Sequence, residues 1–353
     1  MASNPILILD IQSSSVRGSL VSGKTILFEL GIEIPNRVTK DSRSLTENIL
    51  SATKLIVEGV LKDLILHNSK AKISVVHCVV SSPWLISQAQ AVSTVFAKNT
   101  KITEKLVNNL IANEKARPTL HITEEAYRSG QLKIIEKKVF SILLNGYPTQ
   151  DWQGKSAAKL EVSFVVSSAS KSFITDLENI CRNIVSIDKI VFHSSLILHY
   201  ISSRELIPDA AAHVCVHVHN EITDIVSINN LGAIYFASYP VGLNTITHRI
   251  AAALGVKKHT AESMLSLYAE MHVDPSHNRN SGVIIEKILQ SWSREYHEFI
   301  KLAEIPHAAP VHVFVSSEKY PKLLTRLLRI PSSKAKIELI TENIYIEAIN
   351  SLA

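Results

Sequence analysis

The sequence predicts a duplicated α/β protein of two lobes, with a smaller α+β insert in the first. Three observations predict it. A strand, polar turn, strand, strand pattern opens the chain (PILILDIQSSSVRGSLVSGKTILFELGIEI) and returns beyond Ala211 (VCVHVHNEITDIVSINNLGAIYFAS). Strands alternate with amphipathic helices on both sides of a central stretch. Between Pro83 and Ser168 the texture changes to long, loosely alternating segments around one short helical pattern.

The elements follow in order. The opening apolar runs read as three strands separated by polar turns. SLTENILSATKLIVEGVLKDLI is a helix, because Leu45, Ile49, Ala52, Ile56, Val60 and Leu64 recur at helical spacing. ISVVHCVVSS is an apolar strand. Inside the insert WLISQAQAVSTVFA alternates, and Thr103 caps a helix, EKLVNNLIANEKA, that stops before Pro118. LKIIEKKVFSILLNGYP and AAKLEVSFVVSS are strands joined by the turn-rich NGYPTQDWQGK. KSFITDLENICRNI places Phe173, Leu177 and Ile180 on one helical face, and KIVFHSSLILHYISSREL is a strand running into a helix.

Laying the second hairpin over the first puts Asp10 on His217, Ser13 on Asn220, Arg17 on Asp224 and Val21 on Ile228. Identity is weak, but the hairpin pattern repeats, at a spacing too long for a solenoid. Two helices follow, then the polar loop VDPSHNRNSG. A long amphipathic helix comes next, with Ile284, Ile288, Trp292, Tyr296 and Phe299 in step, and the chain closes on strand, turn, helix, strand and helix. The expected boundaries are 1–82 and 169–207 for the first lobe, 83–168 for the insert and 208–353 for the second lobe, with a helical part over about 250–305.

Composition narrows the class. The 353 residues are 46% hydrophobic and 20% charged, the balance of a folded globular chain. A net charge of +5, with Lys and Arg scattered, does not imply nucleic acid. Three unevenly spaced cysteines, Cys78, Cys181 and Cys215, argue against a disulfide framework and fit a reducing cytosol. The N-terminal apolar run is too short for a signal peptide, and no run reaches a membrane-spanning length. A cytoplasmic protein is expected.

VCVHVHNEITDIV poses the central question. Along a strand Cys215, His217 and His219 share one face, opposite Val214, Val216 and Val218. Two such histidines could serve a zinc ion with further ligands from elsewhere. The plainer reading packs the valines on one side and turns the polar set toward a cleft, as what is left of a phosphate-binding loop. No metal is expected.

A duplicated lobe with two such hairpins resembles the actin-like ATPase superfamily, in its ribonuclease H-like duplicated form. Within it the chain looks most like the cell-division protein FtsA, and next most like the pilus-assembly protein PilM. LDIQSSSVRGSLV resembles the first phosphate hairpin, and Thr223-Asp224 the end of the second. YPVGLNTITHRIA resembles the FtsA connecting segment, and AES at 261–263 the adenosine-side helix. The 83–168 insert resembles the extra FtsA subdomain, with ITEKLVNNLIANEKA and LNGYPTQDWQGKSAAKLEVSFVVSS in the same order.

The departures from that pattern bear on nucleotide. Phosphate hairpins use glycine so that the backbone can approach the phosphates and present its N–H groups. Here Gln12 stands where the first hairpin would have glycine, and His219, Asn220 and Glu221 where the second would. His217 replaces a metal-organising Asp, SSEK at 316–319 replaces a glycine turn, and Leu265 stands where FtsA has Lys. The resemblance therefore implies lost or weakened binding of ATP and magnesium, and no catalysis.

The remnants to watch are Asp10, Ser13, Ser14, Thr223, Asp224, Gly242 and Glu262. Asp10 either organises a hydrated magnesium ion or bonds the Ser13–Ser14 turn. Asp224 either meets a hydrated cation or pairs with Arg17 across the cleft. Thr223 and Ser13 offer hydroxyls to phosphate or simply make polar hairpins. Gly242 serves a turn before a helix, by positive φ or close packing. Glu262 holds a ribose hydroxyl or sits solvated in a first helical turn. The resemblance implies first a cell-division scaffold that binds an FtsZ-type protein and self-associates, the FtsA-like insert favouring it; the alternative is a PilM-like protein that docks a pilus inner-membrane protein. An active ATPase with an altered cleft is the third reading. The chain closes on TENIYIEAINSLA with no Lys/Arg-rich amphipathic tail, so membrane contact is expected through a partner.

Overall fold

The computed structural model describes residues 4–34, 42–67, 72–113, 130–206, 212–228, 234–270, 279–302, 311–316, 319–328, 336–339, 345, 348 and 349. The chain divides into two compact units. One holds Met1–Ser195 with Gly232–Ile234, and the other holds Leu196–Leu231 with Tyr235–Ala353. The insert falls in the first unit, and the division comes at Ser195, earlier than the 207/208 boundary read from sequence.

In the first unit β1 (Ile6–Ile11), β2 (Ser15–Ser22) and β3 (Thr25–Glu33) form an antiparallel meander. Helix α1 (Ser42–His67) crosses back to β4 (Val75–Val80), which lies parallel to β1. The helix forms where its apolar period is 3.6: Ile49, Ala52, Ile56, Val60 and Leu64 are all buried, as the spacing predicts. Gly18 on β2 lets α1 approach closely, because a Cβ there would lie 2.3 Å from Ile56 Cγ2.

The insert follows. It consists of β5 (Leu85–Lys101), α2 (Glu104–Asn113), β6 (Leu132–Leu144), β7 (Tyr147–Pro148) and β8 (Ser156–Ser170). Its sheet has the order β5-β8-β6-β7. The loosely alternating stretch at 84–97 proves to be part of one 17-residue edge strand. Asn145 (φ 52°) and Gly146 (φ 87°) make the β6–β7 turn, the left-handed pair an Asn-Gly hairpin uses. Thr103 caps α2, its Oγ1 accepting the Leu106 N–H at 3.2 Å. Val107 and Ile111 of α2 pack on Ile142, Leu160, Val162 and Phe164, a core belonging to the insert.

Helix α3 (Lys171–Ile184) continues directly from β8, β9 (Lys189–Ser194) pairs in parallel with β4, and α4 (Ser195–Leu206) follows. The buried face of α3 is Phe173, Ile174, Leu177 and Cys181, with Ile180 only half-buried, one position away from the face expected. Glu136 of β6 ties the insert to the lobe: its Oε2 accepts the Ser194 N–H at 3.0 Å. Ser87 of β5 joins Ser167 (2.8 Å) and Ser194 (3.2 Å) through its hydroxyl.

The second unit repeats the design. β10 (Ala212–Val218), β11 (Thr223–Ile228) and β12 (Ile234–Tyr239) form the meander, followed by α5 (Leu243–Leu254), α6 (Lys258–Ala269) and α7 (Arg279–Leu302). Next come β13 (Val311–Ser316), α8 (Pro321–Leu327) and β14 (Lys336–Leu339). The first sheet runs β3-β2-β1-β4-β9 and the second β12-β11-β10-β13-β14, the same order in both. Val214, Val216 and Val218 pack with Leu243, Ile246, Ile250, Leu265, Trp292 and Tyr296. Along α7 the fully buried row is Ile285, Leu289, Trp292, Tyr296 and Ile300; Ile284, Ile288 and Phe299 of the expected stripe are half-buried beside it. The polar loop expected at VDPSHNRNSG and the turn at SSEK lie largely outside the described residues.

Candidate functional site

The two hairpins carry equivalent pairs at the same register. Asp10 faces Arg17 across β1 and β2, and His217 faces Asp224 across β10 and β11, the overlay read from sequence.

In the first lobe Gln12 closes its own turn. Its N–H donates to the Ser15 carbonyl at 3.0 Å and its Nε2 donates to Asp10 Oδ2 at 2.8 Å. Gln12 and Ser13 are buried. The Gln12 amide therefore sits against Asp10, where a glycine would leave the backbone open to a phosphate. Ser13 Oγ has no hydrogen-bond partner among the described residues, and the Ser14 carbonyl accepts the Ile34 N–H at 2.7 Å.

The second-lobe turn, residues 219–222, sits on the first turn of α5. The Leu243 N–H donates to the His219 carbonyl at 3.0 Å, and the Asn244 N–H donates to the Asn220 carbonyl at 2.8 Å. Asn244 Nδ2 donates to the Glu221 carboxylate. The leading N–H groups of a helix are its anion-binding groups. Here two of them bond the chain's own carbonyls, with a carboxylate beside them. Gly242 makes this possible. Its φ is −125°, so positive φ is not its role; close packing is, because a Cβ would lie 2.4 Å from the His219 oxygen and 2.5 Å from the Asn220 oxygen. Thr223 Oγ1 donates to the Val241 carbonyl at 2.7 Å and fixes the other side of the same turn.

Asp224 is fully buried and bonded within its own lobe. Ser238 Oγ donates to Oδ1 at 2.6 Å, and His219 Nε2 lies 3.2 Å from Oδ2. The strand face carrying Cys215, His217 and His219 is buried as well. His217 Nδ1 lies 2.8 Å from His199 Nε2 on α4, and the His217 ring stacks on His219 with centroids 3.9 Å apart. The Cys215 thiol points at the His199 carbonyl, 3.8 Å away, and burial pushes its pKa up to about 12. Burial also holds the His217 imidazole well below its ordinary range, with His219 and His199 adding to the effect. Among the described residues no three His, Cys, Asp or Glu side chains are grouped as a metal site.

Glu262 on α6 is half-buried and lies 3.9 Å from Lys258 Nζ. The Lys258 pKa is lowered by burial and by Lys319, against the pull of Glu262 and Glu221. Thr223, Asp224 and Gly242 thus converge on one turn, and Glu262 belongs to a charged group with Lys258. Asp10, Ser13 and Ser14 form the first-lobe turn. Sequence reasoning missed His199, Ser238, Asn244 and Lys258. The one local signal for His199 is an imidazole inside an apolar helical run, LILHY.

No family model matches the chain, and no curated protein matches it by sequence. Solved structures do match. One is a PilM-PilN type IV pilus biogenesis complex, at TM-score 0.60 and 13% identity over 97% of this chain and 89% of that one. Others are the ethanolamine utilization protein EutJ from Carboxydothermus hydrogenoformans (TM-score 0.46, 10% identity, 98% and 88% covered) and a Bacteroides thetaiotaomicron protein with actin-like ATPase fold and unknown function (TM-score 0.44, 9% identity, 99% and 96% covered). With its duplicated sheets and paired hairpins, the chain has the actin-like ATPase fold.

Proposed function

We propose that this chain is a PilM-like docking protein of type IV pilus assembly, which binds a pilus inner-membrane protein through that protein's cytosolic segment and turns over no nucleotide. The likeness to the PilM-PilN complex supports the partner class. The observation that carries the non-catalytic part is the second-lobe turn bonded onto α5, with Glu221 where an anion would otherwise lie. A carboxylate there repels a phosphate, and the N–H groups that would receive one are engaged. Magnesium would have Asp10 as its remaining carboxylate in the first hairpin, and Gln12 is bonded to it.

No helix among the described residues is long and apolar enough to cross a membrane, so in this reading membrane contact comes through the partner. The division-ring reading, with an FtsZ-type partner and self-association, has no observation of its own to favour it here.

Co-expression with a pilus inner-membrane protein from the same genome tests the proposal. The expected result is a stable complex by size exclusion, equally tight with and without magnesium-ATP. A complex that forms only with ATP, or binding to an FtsZ-type protein instead, would overturn it.

A further inference from the structure

Next to the turn that closes α5 lies a row of three buried imidazoles. His199 comes from α4, His217 from β10 and His219 from the turn itself; each is 5% exposed or less. The row is continuous. His199 Nε2 meets His217 Nδ1 at 2.8 Å and Tyr345 Oη at 3.5 Å, His217 stacks on His219, and His219 Nε2 meets Asp224 Oδ2. His219 Nδ1 is buried with no hydrogen-bond partner among the described residues. The backbone of that same His219 holds the turn: its carbonyl takes the Leu243 N–H, and its N–H donates to the Ile222 carbonyl at 2.9 Å.

We infer that this row is a proton-sensitive latch, and that acid loosens the 219–222 turn from the N-terminus of α5. A hydrogen bond between two imidazole nitrogens needs a proton on one and a lone pair on the other. The His199–His217 bond therefore fails once both nitrogens carry protons. Among the described residues, these groups lie beside the row. Asp224 is the carboxylate in the row and is bonded to His219 and Ser238. Glu221 lies on the turn and takes the Asn244 amide. The Cys215 thiol stays neutral near pH 7, because burial pushes its pKa up, and Tyr345 meets the row through its hydroxyl at His199. One carboxylate in the row can balance one imidazolium; a second, stacked on the first in a buried setting, has nothing to balance it. The proton is accommodated by the open turn, where His219 and His217 reach water. This deepens the reading of the closed turn and rests on it, but not on the identity of the partner.

The test is amide hydrogen exchange of the full chain, read as protection factors corrected for the intrinsic effect of pH, at about pH 7.5 and about pH 5. Protection of Leu243 and Asn244 is expected to fall by about tenfold or more at the lower pH, while Ile250 in the interior of α5 keeps its protection. The variant His217→Asn places an amide nitrogen near the Nδ1 position without a titrating ring. It should keep the protection at neutral pH and lose the pH dependence. Equal protection of Leu243 and Asn244 at both pH values in the unmodified protein would overturn the latch, whatever the variant does. So would parallel loss at Ile250, which would mark unfolding of the lobe. Fast exchange of Leu243 and Asn244 already at neutral pH would instead remove the closed turn itself.

Discussion

Gly242 shows how one residue decides the state of the second hairpin. Its backbone is extended, which alanine tolerates, yet an added methyl would sit 2.4 Å from the His219 carbonyl oxygen. Gly242→Ala should therefore cost about 1–3 kcal/mol by overpacking, read as a lower urea midpoint, and should speed exchange at Asn244. Acid acts at the residue scale too. Burial lowers the His77 pKa to about 4, with His193 (Nε2 2.9 Å from its Nδ1) and Lys189 contributing. A depressed histidine pKa means the unfolded chain takes up the proton first. Stability from this group is full above about pH 6.5 and declines as pH falls toward 4. A His77→Leu variant should show a flatter decline in melting temperature across that window.

At the scale of elements, the long helix shows what sequence can and cannot decide. Helix α7 carries two adjacent apolar rows, Ile284, Ile288, Phe299 and Ile285, Leu289, Ile300, sharing Trp292 and Tyr296 between them. Periodicity gives the helix and its two aromatics, but either row satisfies a period of 3.6. Packing against α5, α6 and α8 selects the second row. Trp292→Ala should cost about 3–5 kcal/mol in chemical denaturation and Ile288→Ala about 1–2 kcal/mol. The same limit explains the hairpins. Their register and duplication were legible, because alternating residues fix which strands pair. Which groups cap α5 was not, since Asn244 and Glu221 meet only after β12 has brought the chain back. The His199–His217 contact was illegible for the same reason: His199 meets His217 across a helix–sheet contact that no local pattern announces.

For the molecule as a whole, duplication supplies two sheets of one order, and the insert adds a third with its own core. The insert ends on neighbouring strands, Leu85 facing Ala169 across β5 and β8. We expect that replacing residues 85–169 by a short Gly-Ser linker leaves a cooperatively unfolding two-lobed remainder, at a lower melting temperature because Ser194 loses Glu136 and Ser87. A remainder without a cooperative transition would mean that the insert is part of the first core.

In the proposed reading the 219–222 turn, bonded onto α5, takes the place a phosphate would need. Calorimetric titration of the full chain with magnesium-ATP tests it most directly. No saturable heat is expected at ligand concentrations up to about 1 mM at neutral pH. A saturable isotherm with a dissociation constant of about 10 μM or below would contradict it, because the turn would then have to leave α5 to admit the phosphates.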